Sequence, residues 1–218
     1  MEPSIAAVSL YKQRGDHLSE SAESDPYLAS PFFRPRMYEV ELKVSASLDR
    51  VRDRLLELGA TDRGRVDQVD TYYDAPHRSF PETDEALRLR DERGPEGKRT
   101  EITYKGPLVE TASKSREEVQ TGVESGEAAD TLLKRLGFEP AASVSKHRER
   151  YEIDGYTVTL DEVEGVGEFV EVETVADPDG IDQARTGAID VLHRLNLDAD
   201  EQIRTSYLEL ALESREPE

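Results

Sequence analysis

Cysteine and tryptophan are both absent from the 218 residues, and aromatic residues make up only 6%. Without cysteine there are no disulfide scaffolds, thiolate zinc sites or thiol nucleophiles. No run approaches the ~18 consecutive apolar residues of a membrane span. The N-terminus offers no signal-peptide stretch beyond Ile5-Ala6-Ala7-Val8. The four histidines are scattered, with no His-x-x-x-His pair, so a zinc site is not expected. There is no Gly-x-Ser-x-Gly elbow, and Gly94–Arg99 lacks the spacing of a phosphate loop and reads as a hairpin turn. Positive charge is also scarce. Lys plus Arg number 28 against 48 Asp plus Glu, a formal net charge of −20, and only 7 of the 28 are lysine. A uniformly acidic surface repels phosphate backbones and anionic lipid, so neither nucleic acid nor a membrane is an expected partner. Acid excess with few lysines suits an acidic, halophile-like protein, because salt screens the self-repulsion. The expectation is a soluble, cytoplasmic protein.

Two parts are visible. Residues 1–36 carry Ser19-Glu20-Ser21-Ala22-Glu23-Ser24-Asp25-Pro26, then Pro31 and Pro35, with no sustained period, and are expected to be disordered or loosely attached. Residues 37–214 are strongly patterned and form the expected domain. Tyr38, Val40, Leu42 and Val44 alternate with polar residues as a strand. Leu48, Val51, Leu55 and Leu58 follow at helical spacing, with Ser47 as N-cap and Gly59 as stop. Further strands are expected at 64–74, 86–93, 99–105, 115–123, 143–153, 156–163 and 168–175, with a turn at Gly94–Gly97 and another at Asp154-Gly155. Helices are expected around 129–136, 180–195 and 203–212. Eight strands with helices grouped after the first and fifth and at the C-terminus suit an α+β fold with an antiparallel sheet.

The charges repeat with strand parity. Glu39, Glu41 and Lys43 share one face; Arg88 and Arg90 oppose Leu87 and Leu89; Lys105 opposes Ile102 and Tyr104. Lys146, Arg148 and Arg150 share a face, and Glu171 and Glu173 oppose Val170 and Val172, with Asp161 near the end of the preceding strand. On any one strand this is an ordinary surface sheet. Repeated on at least five strands, it suits a closed barrel of ~8 strands with the charges inside. Such an interior is costly unless carboxylates hold a divalent cation and the cations hold a polyphosphate. Glu-x-Glu pairs on neighbouring strands suit hard Mg²⁺ or Mn²⁺.

Glu39-Val40-Glu41-Leu42-Lys43 resembles the Glu-x-Glu-x-Lys signature of the CYTH superfamily, the triphosphate tunnel metalloenzymes. The resemblance extends over residues 37–212 and is greatest to the class IV adenylate cyclase branch. It rests on Asp70–His77, Glu85–Arg90, Tyr104–Pro107, Ser115–Glu118, Leu136–Phe138, Lys146–Arg148, Leu160–Gly165, Glu168–Glu173 and Ser206–Leu210, in that order. It implies an eight-stranded antiparallel tunnel, a divalent metal, and a nucleoside or inorganic triphosphate as substrate. Glu39, Glu41, Asp161, Glu171 and Glu173 match metal ligands. Lys43, Arg88, Arg90, Lys105, Arg116, Lys146, Arg148 and Arg204 match triphosphate-binding cations, with Lys43, Arg88 and Arg90 also catalytic. Glu118 is either a metal-side carboxylate or the partner of Arg116. The reaction implied is ATP to cyclic AMP and pyrophosphate. The alternative in the same tunnel is a triphosphatase acting on inorganic or thiamine triphosphate. A binding module without catalysis has no need of four glutamates. A homodimer stays open.

Overall fold

The period-two segment at the start of the domain forms β1 (Tyr38–Ser45), and the helical spacing after it forms α1 (Leu48–Glu57). β2 (Thr61–Asp74), α2 (Phe80–Thr83), β3 (Ala86–Gly94), β4 (Gly97–Leu108), β5 (Lys114–Val123) and α3 (Gly126–Arg135) follow. The chain ends with β6 (Glu139–Ile153), β7 (Tyr156–Val163), β8 (Gly167–Ala176), α4 (Ile181–Arg194), a 3₁₀ turn at Ala199–Glu201, and α5 (Tyr207–Glu213). This computed structural model describes residues 37–109 and 114–214, so the expectation for residues 1–36 lies outside the described residues.

The eight strands close into a barrel in the order β1-β5-β4-β3-β2-β6-β7-β8, every neighbour antiparallel. Because successive side chains point to opposite faces, closure sends one parity into the lumen and the other outward. The outward parity is apolar where helices cover it. Leu42, Val44, Val158, Leu160, Val170 and Val172 pack with Leu48, Val51 and Leu55 of α1 and Ala188, Val191 and Leu192 of α4. On another side, Tyr73, Leu87 and Leu89 pack with Phe80 of α2 and Ala129 and Leu133 of α3. Each fully buried Leu or Val contributes roughly 1.5–3 kcal/mol. The helices therefore hold the barrel from outside and leave its inside free for charge.

The expected turns are in place. Asp154 and Gly155 both take positive φ (50° and 82°), as a two-residue hairpin with the twist of the flanking strands requires. Three details differ from expectation. β2 and β6 start at Thr61 and Glu139, earlier than 64 and 143, because they pair with each other from Thr61↔Glu152 to Asp74↔Glu139. Bulges at Asp62/Gly64 and Tyr72/Tyr73 absorb the twist of that long ribbon. α2 is an unanticipated short turn, with Pro81 in its first turn and Asp84 closing it in the left-handed region.

The third difference matters most for the site. α5 begins at Tyr207, not at 203. The Ile203 amide donates to the Lys43 carbonyl, so the chain is tied alongside β1 before the helix. Ser206 and Glu209 then form a reciprocal capping box that starts α5. Val144, Val163 and Phe169 have the parity of Lys146, Asp161 and Glu171, so at this end the lumen turns apolar. Tyr207 and Ala211 seat on those three side chains, the Tyr207 ring 5.2 Å from that of Phe169. α5 thus stoppers part of one end of the tunnel.

Candidate functional site: the charged tunnel

Register brings the expected charges together. On β1 and β8, Glu41 lies opposite Glu173 and Lys43 opposite Glu171. On β6 and β7, Arg148 lies opposite Asp161; on β2 and β3, Asp70 opposite Arg90; on β4 and β5, Lys105 opposite Glu118. A cavity of about 1040 Å³ runs between these walls, lined by Glu39, Glu41, Lys43, Arg88, Arg90, Lys105, Arg116, Lys146, Arg148, Glu171, Glu173 and Arg204 among others.

Glu41, Glu171 and Glu173 each offer a carboxylate oxygen within 4.8 Å of the others. Burial and the nearby Glu39 push the Glu173 carboxyl up to about 8, with Glu171 and Glu41 adding to the repulsion. Three acceptor-only groups converging inside a protein are unfavourable unless a cation or protons lie among them. An all-oxygen set fits a hard divalent ion. The other two expected ligands stand apart from this cluster. Glu39 lines the same cavity but accepts from Lys105 Nζ at 2.7 Å. Asp161 is fully buried and takes a forked pair from Arg148, whose Nε lies 2.6 Å from Oδ1.

The cations divide by how firmly carboxylates hold them. Arg90 is clamped, its Nε and Nη2 each 2.6 Å from Asp70. Arg148 is clamped as well, reaching Glu171 at 2.5 Å besides Asp161. Lys105 sits 2.8 Å from Glu118 and 2.7 Å from Glu39, which answers the question about Glu118: its partner is Lys105, not Arg116. Arg88 is buried yet loosely held. Its nearest carboxylates are Asp70 at 3.6 Å and Glu118 at 3.9 Å, and its Nε has no hydrogen-bond partner among the described residues. A buried donor left over in this way fits an anion from outside the chain.

Lys43 donates to the Thr205 carbonyl at 2.5 Å, and its Nζ lies 4.2 Å from the Tyr207 ring centre. Lys146 lies 4.8 Å from the same ring and 3.6 Å from Asp161. Burial, reinforced by Arg148, pushes Lys146 down to about 8. Arg116 stands at the rim, donating to the Gly106 and Asp84 carbonyls at 3.1 and 3.3 Å, and Arg204 lines the cavity as an exposed residue.

Several lumen residues escaped the sequence reading. Asp70 supports Arg88 and Arg90; it opens one of the matched segments, but only the β2–β3 register shows it as their counter-charge. Glu92 was within reach, since it continues the parity of Arg88 and Arg90. It is buried and accepts from Gln68 at 2.6 Å and Arg150 at 2.5 Å, with Arg99 at 2.8 Å. Tyr207 lies in a matched segment, but its position between two lysines depends on where the C-terminal helix docks.

The CYTH domain model matches residues 37–207. The chain is 38% identical over 176 residues to MJ0240 of Methanocaldococcus jannaschii, provisionally named an adenylate cyclase, covering 80% of this chain and 98% of that one. It is 27% identical over 148 residues to adenylate cyclase CyaB of Aeromonas hydrophila, covering 67% of this chain and 73% of that protein. Among solved structures, the PH1819 protein of Pyrococcus horikoshii is 39% identical with a TM-score of 0.76, covering 81% of this chain and 99% of that one.

Proposed function

Since the chain belongs to the CYTH domain family, whose enzymes act on nucleoside or inorganic triphosphates with a divalent metal, we propose that it is a class IV adenylate cyclase. The reaction is ATP to cyclic AMP and pyrophosphate. What carries the cyclase reading is the likeness to two proteins bearing adenylate cyclase names, at 38% and 27% identity. The three converging carboxylates and the loosely held Arg88 support the metal and the triphosphate.

In this reading Glu41, Glu171 and Glu173 hold Mg²⁺ or Mn²⁺. When bound, the ion supplies the charge that activates the ribose 3′-hydroxyl and neutralises the phosphates. Arg88 and Arg90 grip the phosphate chain and stabilise charge on the leaving pyrophosphate, Arg88 through the donors its partners leave unused. Lys43, Lys105, Lys146 and Arg148 line the path of that chain. Arg116 and Arg204 meet it at the rim. Glu39, held by Lys105, would join the ligands of the ion only if Lys105 turned to a phosphate, while Asp161 acts through Arg148 by fixing its guanidinium. Holding the α-phosphate beside the 3′-hydroxyl in near-attack geometry is what separates cyclisation from hydrolysis.

No described helix is long and apolar enough to cross a membrane. In the test, ATP and tripolyphosphate are incubated separately with the full chain and Mg²⁺ or Mn²⁺ at high salt, and the products separated. Cyclic AMP and pyrophosphate are expected from ATP. Rapid orthophosphate release from tripolyphosphate, with no cyclic nucleotide from ATP, would move the protein to the triphosphatases.

A further inference from the structure

Two strands of the lumen change sign in the same direction. β3 presents Arg88, Arg90 and then Glu92 at two-residue steps, roughly 6.6 Å each, and β6 presents Lys146, Arg148, Arg150 and then Glu152. Both strands pair antiparallel with β2, so they run the same way and their carboxylates lie towards the same end. All of these residues line the cavity, so the space continues where the run of cations stops.

At the level of Glu92 the donors are spent. Arg99 of β4, Gln68 of β2 and Arg150 of β6 turn to the Glu92 carboxylate at 2.8, 2.6 and 2.5 Å, a belt over four consecutive strands of the barrel. Gln68 gives an amide N–H to Glu92 and keeps its oxygen, a buried acceptor without a hydrogen-bond partner among the described residues. Glu101, opposite Arg90 on β4, adds a second carboxylate to the cavity wall. Burial would raise the Glu92 carboxyl, but the bonds from Arg150 and Gln68 hold it down to about 2, so it stays charged at neutral pH. An anion that reaches this belt must break those bonds or lie beside a fixed carboxylate, and like charges repel strongly at a few ångströms inside a protein. Arg88, with its unpartnered buried Nε, offers what the belt withholds.

We propose that Glu92 ends the phosphate path. It is a specificity-determining residue that admits a nucleoside triphosphate with its terminal phosphate on Arg90 and turns away a chain one phosphate longer. The inference rests on the reading of the tunnel as a nucleoside-triphosphate site. An extra phosphate carries extra negative charge, which a cationic tunnel would by itself bind more tightly, so selection against the longer chain requires a stop.

The test uses the full chain, Mg²⁺, and two probes titrated by calorimetry: 3′-deoxyadenosine 5′-triphosphate and 3′-deoxyadenosine 5′-tetraphosphate, which lack the hydroxyl that would cyclise. The unaltered protein should bind the triphosphate about tenfold more tightly than the tetraphosphate. Glu92→Gln should bring the two affinities within about twofold of each other. Glu92→Asp keeps the charge and should keep the preference. Glu162→Gln makes the same change of net charge on an exposed residue outside the lumen, and should also keep it. Equal or tighter binding of the tetraphosphate by the unaltered protein would overturn the proposal without any variant. A preference unmoved by Glu92→Gln, or moved as far by Glu162→Gln, would overturn it as well. The cyclase reading fails separately. A preference for the triphosphate without any cyclic AMP from ATP keeps the stop and discards the cyclase. Cyclic AMP from ATP with no preference between the probes does the reverse.

Discussion

The wall of the tunnel made by β1 and β8 and the wall made by β2 and β3 are both charged, but they manage charge in opposite ways. Across β2 and β3, Asp70 is matched to Arg90 by two 2.6 Å bonds and to Arg88 at 3.6 Å. Across β1 and β8, Glu41, Glu171 and Glu173 crowd together within 4.8 Å, and Glu173 is pushed up to about 8. The first wall matches its carboxylate to arginines across its own ladder, whereas on the second three carboxylates converge although Arg148 reaches Glu171. Carboxylates matched closely to arginine build the scaffold, whereas several carboxylates converging on one point mark a place that fits a cation.

The sharpest way to break the comparison is to remove one carboxylate from each wall. Asp70→Asn leaves two arginines facing each other without their shared counter-charge. We expect a loss of roughly 3–5 kcal/mol of stability, read by urea unfolding in metal-free buffer. In the same buffer Glu173→Gln should leave the melting temperature unchanged or raise it, because it relieves repulsion. A comparable loss in both variants would erase the distinction between the walls.

Activity should rank the walls the other way. Glu171→Gln or Glu173→Gln should cost on the order of 100-fold in turnover, with more metal needed for half-maximal rate and the fold retained. Near-normal rates at ordinary Mg²⁺ would count against the ion site.

Packing outside the barrel offers a control free of charge. A methyl group at Gly187 of α4 would come 1.9 Å from the Tyr156 hydroxyl, which donates to the Ala184 carbonyl. Gly187→Ala should cost about 1–3 kcal/mol, with the same cost at pH 4 and pH 7 by thermal unfolding.

Acid should act on the paired wall. Burial alone would raise Asp70, but Arg88 and Arg90 hold it well below the carboxylate range. Burial would likewise raise Glu92, but hydrogen bonds from Arg150 and Gln68 hold it down to about 2. Both values are depressed on folding, so their contribution is complete above the ordinary carboxylate value near ~4 and is lost as pH falls towards the folded value. Stability should decline between pH 5 and pH 2 on the order of a few kcal/mol, and Glu92→Gln should flatten that slope. The smallest effect is expected from a chain beginning at Met37, which keeps both walls whole. It should melt and turn over as the full chain does, and loss of either would assign residues 1–36 a part in the domain.

Most strands, their turns and the faces of their charges are legible in the amino-acid sequence. Period two is a local property: Glu39, Glu41 and Lys43 share a face whatever lies beside them, and Asp154-Gly155 turns the chain because both residues accept positive φ. What parity cannot state is who sits opposite. Arg148 and Asp161 share a lumen with Glu171 and Glu173, but only the β6–β7 register makes Asp161 the clasp of that arginine and sets it apart from the carboxylate cluster. Glu118 falls to Lys105 for the same reason, through the β4–β5 register. The end of the tunnel was decided furthest from local pattern. An amphipathic C-terminal helix is readable from Leu208, Ala211 and Leu212, yet its docking depends on a hydrogen bond from Ile203 back to Lys43 and on three lumen side chains from strands far away in sequence. Those contacts exist only once the barrel has closed, so no local pattern announces them.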